Sequence, residues 1–304
     1  MSEATILITT RNRREELRRA IASVLEQRAV AEVLVVDDGS SDGTREMVER
    51  EFPSVRVHRS EEACGYIVQR NRGVGLASAP VVVVMDDDAV FSSPTTVEQT
   101  LADFDHPRVG AVAIPHVDVG VQNGVRTRRA GAGDALVTSE FVGTAVALRR
   151  DAFLQTGGFR ESFFHQGEER DFCMRLLAAG WVVRVGRAEP IEHHPSPLRD
   201  VRRMDLYGRR NTILCAFWNE PLPSLLVRLA EMTAQGLVSG VHVRRPGAAV
   251  RGLLLGYAAC WHERRQRRPV PRDVVRLFRR LWKRGPLPLA AVEPLLPAPG
   301  GVAR

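Results

Sequence analysis

Apolar positions run through the first half of this chain in two alternating rhythms. Residues 4–10 form an unbroken stretch suited to a strand. Leu17, Ala20, Ile21, Val24 and Leu25 then recur at helical spacing, with Asn12 and Glu15 set three apart as a capping pair. Residues 32–36 predict a second strand, 43–52 a helix, 55–59 a third strand and 65–78 another helix. Val81-Val82-Val83-Val84 follows as a fourth strand. Such a β-branched run suits a strand covered on both faces, and strands alternating with helices predict an α/β fold whose sheet is mainly parallel with right-handed crossovers.

The rhythm loosens after a strand at 109–114. Residues 115–134 hold many Gly and Arg with little periodicity and read as a long functional loop. Strands are expected at 142–148 and 181–185, a short helix from Asp151, and a helix over 168–179 that stops at Gly180. From Val201 onward the signals are helical, down to a Pro-rich end at 286–299. The division this suggests is a catalytic domain over 1–215 and a basic helical region over 216–304.

An apolar content of 44% suffices for a packed core and excludes wholesale disorder. Cys64, Cys173, Cys215 and Cys260 are scattered without a Cys-x-x-Cys pair, which argues against zinc and disulfides and fits a cytoplasmic protein. The first residues lack the regions of a signal peptide, and the apolar run at 252–261 is too short to span a membrane. The net charge of +7 gathers after residue 200, in pairs such as Arg202-Arg203, Arg209-Arg210 and Arg279-Arg280. Leu225, Leu226, Leu229 and Met232 form one helical stripe; Val274, Val275, Phe278, Leu281 and Trp282 form another, opposite arginines. Basic amphipathic helices can contact the anionic inner face of a membrane, or dock on their own domain with arginines solvated. The arginines lack interleaved aromatic residues, so nucleic acid is not expected as a partner.

The strongest chemical signal is Met85-Asp86-Asp87-Asp88, directly after the valine run. The carboxyl end of a parallel strand is where open α/β sheets bind ligands, and three adjacent carboxylates suit a hard cation such as Mg2+ or Mn2+. An acidic solvated turn is the competing reading.

Five segments in order resemble glycosyltransferases of family 2, which have the GT-A fold, and within them bacterial rhamnosyltransferases. They are Thr9-Thr10-Arg11-Asn12-Arg13, Asp37-Asp38-Gly39-Ser40, Gly65 to Gly73 with Gln69-Arg70-Asn71, the triple Asp as a DxD motif, and Glu168-Glu169-Arg170-Asp171-Phe172. The resemblance covers about the first 215 residues. It implies a metal-dependent, inverting transfer of a sugar from a nucleoside-diphosphate sugar to a glycan, lipid-linked or small-molecule acceptor. Polysaccharide or cell-envelope assembly and secondary-metabolite glycosylation are the settings expected.

By position in the family pattern, Thr9, Arg11 and Asp37 or Asp38 border the base and ribose, Arg70 faces the diphosphate or stabilises the sheet edge by pairing with an Asp, and Asp86 and Asp87 meet the donor. Asp88, with Asp86, is expected on the metal, joined by His193 or His194. Glu169 stands where the family's catalytic Asp falls, longer by one methylene, and Glu168 is the other candidate base. Asp171 is expected to orient Arg175 or to cap the helix. Tyr207-Gly208-Arg209-Arg210-Asn211 resembles a further family signature, in which Arg210 reaches the diphosphate once the site closes; the competing reading is a helix packed beneath the sheet with Tyr207 and Leu214 in the core. A nucleotidyltransferase would carry a Gly-rich loop after strand one, which is absent here; the non-enzyme alternative is a sugar-nucleotide-binding protein that kept the fold without catalysis.

Overall fold

The computed structural model describes residues 3–131, 133–195 and 200–298. The first half follows the expected alternation: β1 (Ala4–Thr10), α1 (Arg14–Leu25), β2 (Val30–Asp37), α2 (Thr44–Glu51), β3 (Arg56–Arg59), α3 (Tyr66–Leu76) and β4 (Val81–Asp86). Leu17, Ala20, Ile21 and Val24 of α1 are fully buried, the three larger side chains contributing about 1.5–3 kcal/mol each. The Asn12–Glu15 capping pair does not form. Arg13 is the N-cap, Asn12 takes a φ of +52°, and its Oδ1 accepts from the Ser41 backbone N–H at 2.8 Å. Asn12 is thereby spent on tying the end of β1 to the turn after β2.

Next come β5 (Ala89–Phe91), α4 (Thr96–Leu101), β6 (Val109–Ala113), β7 (His116–Asp118), β8 (Val125–Thr127), β9 (Leu136–Thr138), β10 (Ala145–Arg149), α5 (Arg150–Gln155), α6 (Glu168–Ala178), β11 (Val182–Val185) and β12 (Ile191–His193). The segment read as a loop therefore holds two strands, β7 and β8. Three-residue strands carry too little alternation to stand out in a sequence.

The main sheet runs β13-β9-β11-β6-β10-β4-β1-β2-β3, where β13 is a two-residue strand (Leu287–Pro288) from near the chain's end. The β4-β1-β2-β3 unit is parallel, as is β6 with β11, while β10 lies antiparallel between β4 and β6. A second sheet, β5-β12-β7-β8, begins two residues after β4 ends. The Asp87-Asp88 turn thus links the two sheets. Chain order reverses at β1, whose neighbours are β2 and β4, and a crevice opens at the carboxyl ends of such strands. Register brings Thr9 level with Asp86 and Thr10 level with Asp37 along that rim.

The remaining helices are α7 (Val201–Asn219), α8 (Ser224–His242), α9 (Pro246–His262), α10 (Arg272–Arg284) and α11 (Leu289–Val292). α7 runs straight through residue 215, so the boundary expected there lies within a helix. Gly252 and Gly256 let α9 close on α7: a Cβ at these positions would stand 2.7 Å from the Leu206 carbonyl oxygen and 2.9 Å from that of Arg210. α10 packs on α6, burying Val274, Val275, Phe278 and Leu281, and β13 pairs with β9. Its apolar stripe is spent inside the protein, as are Leu225 and Met232 of α8, whereas Leu226 and Trp282 are exposed. No described helix is long and apolar enough to cross a membrane.

Candidate active site

The three aspartates at the end of β4 have separate partners. Arg13 reaches across with one nitrogen 3.0 Å from Asp87 Oδ1 and another 2.9 Å from Asp88 Oδ2, and the Thr10 hydroxyl donates to Asp87 Oδ2 at 2.8 Å. Asp86 turns the other way, accepting from Arg70 and from the Thr144 hydroxyl. Burial, only partly offset by Arg13 and Thr10, pushes the Asp87 carboxyl up to about 7. Asp88 is also buried, but His193 and Arg13 outweigh that and hold it below its ordinary value. The repulsion among three adjacent carboxylates is thus relieved by an arginine and by one acid that tends to keep its proton.

The donor set fits a divalent cation. Asp88 Oδ1 is buried without a hydrogen-bond partner, and His193 Nε2 stands 3.3 Å away without the alignment of a hydrogen bond. One ligand atom each from Asp86, Asp88 and His193 lie within 4.8 Å of one another. On its far side His193 Nδ1 is 2.6 Å from Asp118 Oδ1, the arrangement that fixes the tautomer of ligating histidines. His116 Nε2 lies 3.4 Å from the same oxygen, and Arg126 binds the other at 2.6 Å. Burial works against the His193 cation, but Asp88 and Asp118 outweigh it and raise its affinity for a proton; burial lowers that of His116. Of the two adjacent histidines, His193 is the one whose ring meets the acidic group. His194 contributes its backbone N–H to the Asp88 carbonyl at 2.8 Å.

Arg70 joins the acidic rim to α6. It is 3% exposed, lies over the Tyr66 ring at 4.7 Å, and reaches Asp86 with one nitrogen and Glu168 Oε1, at 3.4 Å, with another. Glu168 is fully buried; burial and the neighbouring Glu169 raise its carboxyl to about 8, against the pull of Arg70. Glu169 is only half-buried and lines a cavity of about 410 Å3 between α6, α7 and α10. The two glutamates thus differ in environment: Glu168 is an internal partner of Arg70, and Glu169 faces open space. Gly143 makes the approach possible, since a Cβ there would lie 2.4 Å from an Arg70 terminal nitrogen and 3.0 Å from Glu169 Oε1.

The other expected residues fall in different places. Thr9 is buried at the rim, and Arg11 is exposed just beyond β1. Asp37 is buried and accepts from the Ser40 N–H at 2.9 Å. Asp38 accepts from the backbone N–H groups of Cys64 and Gly65 and from Gln69, so it anchors the turn before α3. Arg210 does not reach the acidic rim: it binds the Ser162 carbonyl and Asn211 and lies over Phe164. Asp171 does hold Arg175, at 2.8 Å, and also Asn219.

Sequence reasoning named Thr10, Arg13 and Asn211 within motifs without giving them a role, and passed over Thr144, Gly143 and Asp118. Asn211 donates to the carbonyls of Phe163, His165 and Gln166, stapling the turn that leads into Glu168. A signal for Asp118 was present: His116 and Asp118, two apart, share one face of a strand.

The sequence pattern described as Glycosyl transferase family 2 matches residues 5–161. A pre-mycofactocin glycosyltransferase of Mycobacterium tuberculosis (strain CDC 1551 / Oshkosh) is 28% identical over 271 residues, 84% of this chain and 56% of that protein. The chain thus spans little more than half the length of that relative. An N-acetylglucosaminyl-diphospho-decaprenol L-rhamnosyltransferase of the same organism is 30% identical over 215 residues, 57% of this chain and 70% of that protein. A mannosyltransferase from Pyrobaculum calidifontis, solved with GDP-Man and Mn2+, shares the fold at a TM-score of 0.59, with 19% identity over 91% of this chain and 78% of its own. With a match running over more than half of its 304 residues, and the family's acidic and arginine motifs gathered at one sheet rim, the chain belongs to glycosyl transferase family 2.

Proposed function

We propose that this protein transfers a hexosyl or deoxyhexosyl group from a nucleoside-diphosphate sugar to an acceptor hydroxyl, with inversion. One observation carries the reading: the donors of Asp86, Asp88 and His193 converge at the sheet rim, and Arg70 joins that rim to the helix that presents Glu169 to a cavity. Asp86, Asp88 and His193 would hold Mn2+ or Mg2+, which would supply Lewis-acid neutralisation of the diphosphate leaving group. Thr9 and Asp37 border the nucleoside, while Asp38 shapes its pocket through the turn at Cys64 and Gly65. Arg70 and Thr144 hold Asp86 in place. Glu169 takes the proton of the acceptor hydroxyl as it attacks the anomeric carbon opposite the diphosphate; base assistance of this kind is worth roughly 100- to 10,000-fold. Arg210 acts here by shaping the turn before α6.

The name of the 30%-identical relative favours rhamnosyl transfer in cell-envelope or polysaccharide assembly, with secondary-metabolite glycosylation as the other setting. A cytoplasmic protein resting on the inner membrane face suits a lipid-linked acceptor. Support comes from Leu226, Val227, Val238 and Val241 of α8 and Leu254 and Trp261 of α9, all more than half exposed beside arginines. Flotation with anionic liposomes at low salt, lost at high salt, is the expected result; no flotation at either salt removes the membrane contact.

The central test is a panel of UDP, GDP, TDP and CDP sugars scored by manganese-dependent thermal shift. A ligand at 100 times its dissociation constant stabilises the native state by about 2.7 kcal/mol. One nucleotide is expected to stand out, and a flat panel would refute the reading.

A further inference from the structure

The cavity beside Glu169 adjoins a second, outer chamber of about 670 Å3 between α7, α8, α9 and α10, which Glu169 does not line, the two sharing Arg170, Thr212, Arg228, Met232, Arg279 and Trp282 as a common wall. Charge differs between the two. Around the inner cavity three carboxylates, of Glu140, Glu169 and Glu220, face three guanidinium groups, of Arg170, Arg228 and Arg279. Around the outer chamber Arg170, Arg209, Arg228, Arg279 and Lys283 face a single carboxylate, Glu231.

Ion pairs neutralise three of these cations, Arg170 with Glu140, Arg279 with Glu220 and Arg228 with Glu231, and leave Arg209 and Lys283 without a carboxylate partner among the described residues. Each paired guanidinium still carries five N–H donors and keeps some beyond its pair. Arg209 binds the Ser239 hydroxyl, and Lys283 is exposed without an ion pair among the described residues. Forked guanidinium donors beside an ammonium suit the several oxygens of a phosphate group. Met232, Leu253 and Trp282 add apolar wall, and Trp282 already stacks on Arg170 at 4.1 Å.

We propose that the outer chamber binds a phosphate or diphosphate group of the acceptor, seated among Arg228, Arg279 and Lys283, while the acceptor's hydroxyl reaches Glu169 through the inner cavity. The assignment rests on the proposed role of Glu169 for its direction, and names the acceptor as an anion. The charge difference then also orients the acceptor: its anionic group is held at the positive end, and its uncharged hydroxyl end is left toward the base.

Calorimetric titration of the full chain in EDTA tests this, because without divalent cation the donor site is not the expected seat of a diphosphate. The probes are geranyl diphosphate, inorganic pyrophosphate and geraniol. Both phosphate probes are expected to bind, and the R228E/K283E double variant to weaken them at least tenfold. The charge-preserving R228K/K283R variant should bind like wild type, and the manganese-dependent donor shift should persist in both variants, which separates a local effect from misfolding. Tighter binding of geranyl diphosphate than of pyrophosphate identifies a lipid-borne phosphate; equal binding identifies the phosphate alone as the recognised group. Geraniol binding as well as its diphosphate, or unchanged affinity in R228E/K283E, would overturn the proposal. A flat donor panel with the anion results intact would overturn the transferase reading alone.

Discussion

Replacing Arg70 by methionine strikes at the link between the acidic rim and α6. The guanidinium is buried, and its partners Asp86 and Glu168 come from separate elements. Removing one member of a buried ion pair costs about 3–5 kcal/mol, because the other charge is left without compensation. Two details set the value toward the low end. The Asp86 side chain is 33% exposed, so water can replace part of what it loses. The Glu168 carboxyl, raised to about 8 by burial and Glu169, is mostly protonated at pH 7. About 3 kcal/mol is therefore expected at pH 7, or roughly 6–12 °C at 2–4 °C per kcal/mol.

The pH dependence gives the sharper test. A carboxyl whose folded value lies above its unfolded one binds more protons in the native state. The stability it confers is complete at acid pH and falls as pH rises from the ordinary glutamate range to about 8, levelling beyond. Arg70 pulls Glu168 downward, so in R70M the fall should continue above pH 8 and the gap to wild type should widen between pH 7 and pH 9. Urea denaturation at pH 6, 7, 8 and 9, without nucleotide or metal, measures this directly. E168Q should flatten the fall, and R70M/E168Q should recover part of the R70M loss at pH 9. A gap that does not change with pH, or a loss below about 1 kcal/mol at pH 9, would refute the reasoning.

Other outcomes follow from the same geometry. E169Q should keep its thermal midpoint and lose about 100- to 10,000-fold in kcat, and near-normal turnover would remove Glu169 as the base. D88A and H193A should each abolish the manganese-induced thermal shift. Because Asp88 and Asp118 make His193 hold its proton above the ordinary histidine value despite burial, Mn2+ affinity should climb as pH rises through and beyond that range, which a manganese titration at several pH values would detect. G143A forces a methyl group against the pinned Arg70 guanidinium; a loss of about 1–3 kcal/mol in denaturant melts, together with reduced turnover, is expected.

The strands and helices up to Asp86 were legible because each carries enough residues for its apolar period to repeat, and the valine run before the triple Asp admitted few other structures. The acidic motif, the arginine of α3 and the paired glutamates were legible as residue types in order. Their separate surroundings were not. That Glu168 is sealed against Arg70 while Glu169 faces a cavity depends on where the turn at 163–167 sits, and Asn211, more than 40 residues away, holds that turn. The choice between His193 and His194 depends on β12 pairing with β5 and β7, which turns the side chain of His193 toward Asp88 and Asp118. Arg210 carries the charge the motif asked for, but the packing of α7 commits it to Ser162.

Local sequence determined the alternation of elements, the parallel unit that begins the sheet and the carboxylates at its rim, since these follow from side-chain period and from the chemistry of neighbouring residues. The mixed order of the sheet's far half, the second sheet behind Asp88, the docking of α10 and the basic chamber beyond Glu169 were decided by tertiary structure. Each joins short segments far apart in the chain, and their pairing becomes favourable only after other surfaces have been buried together.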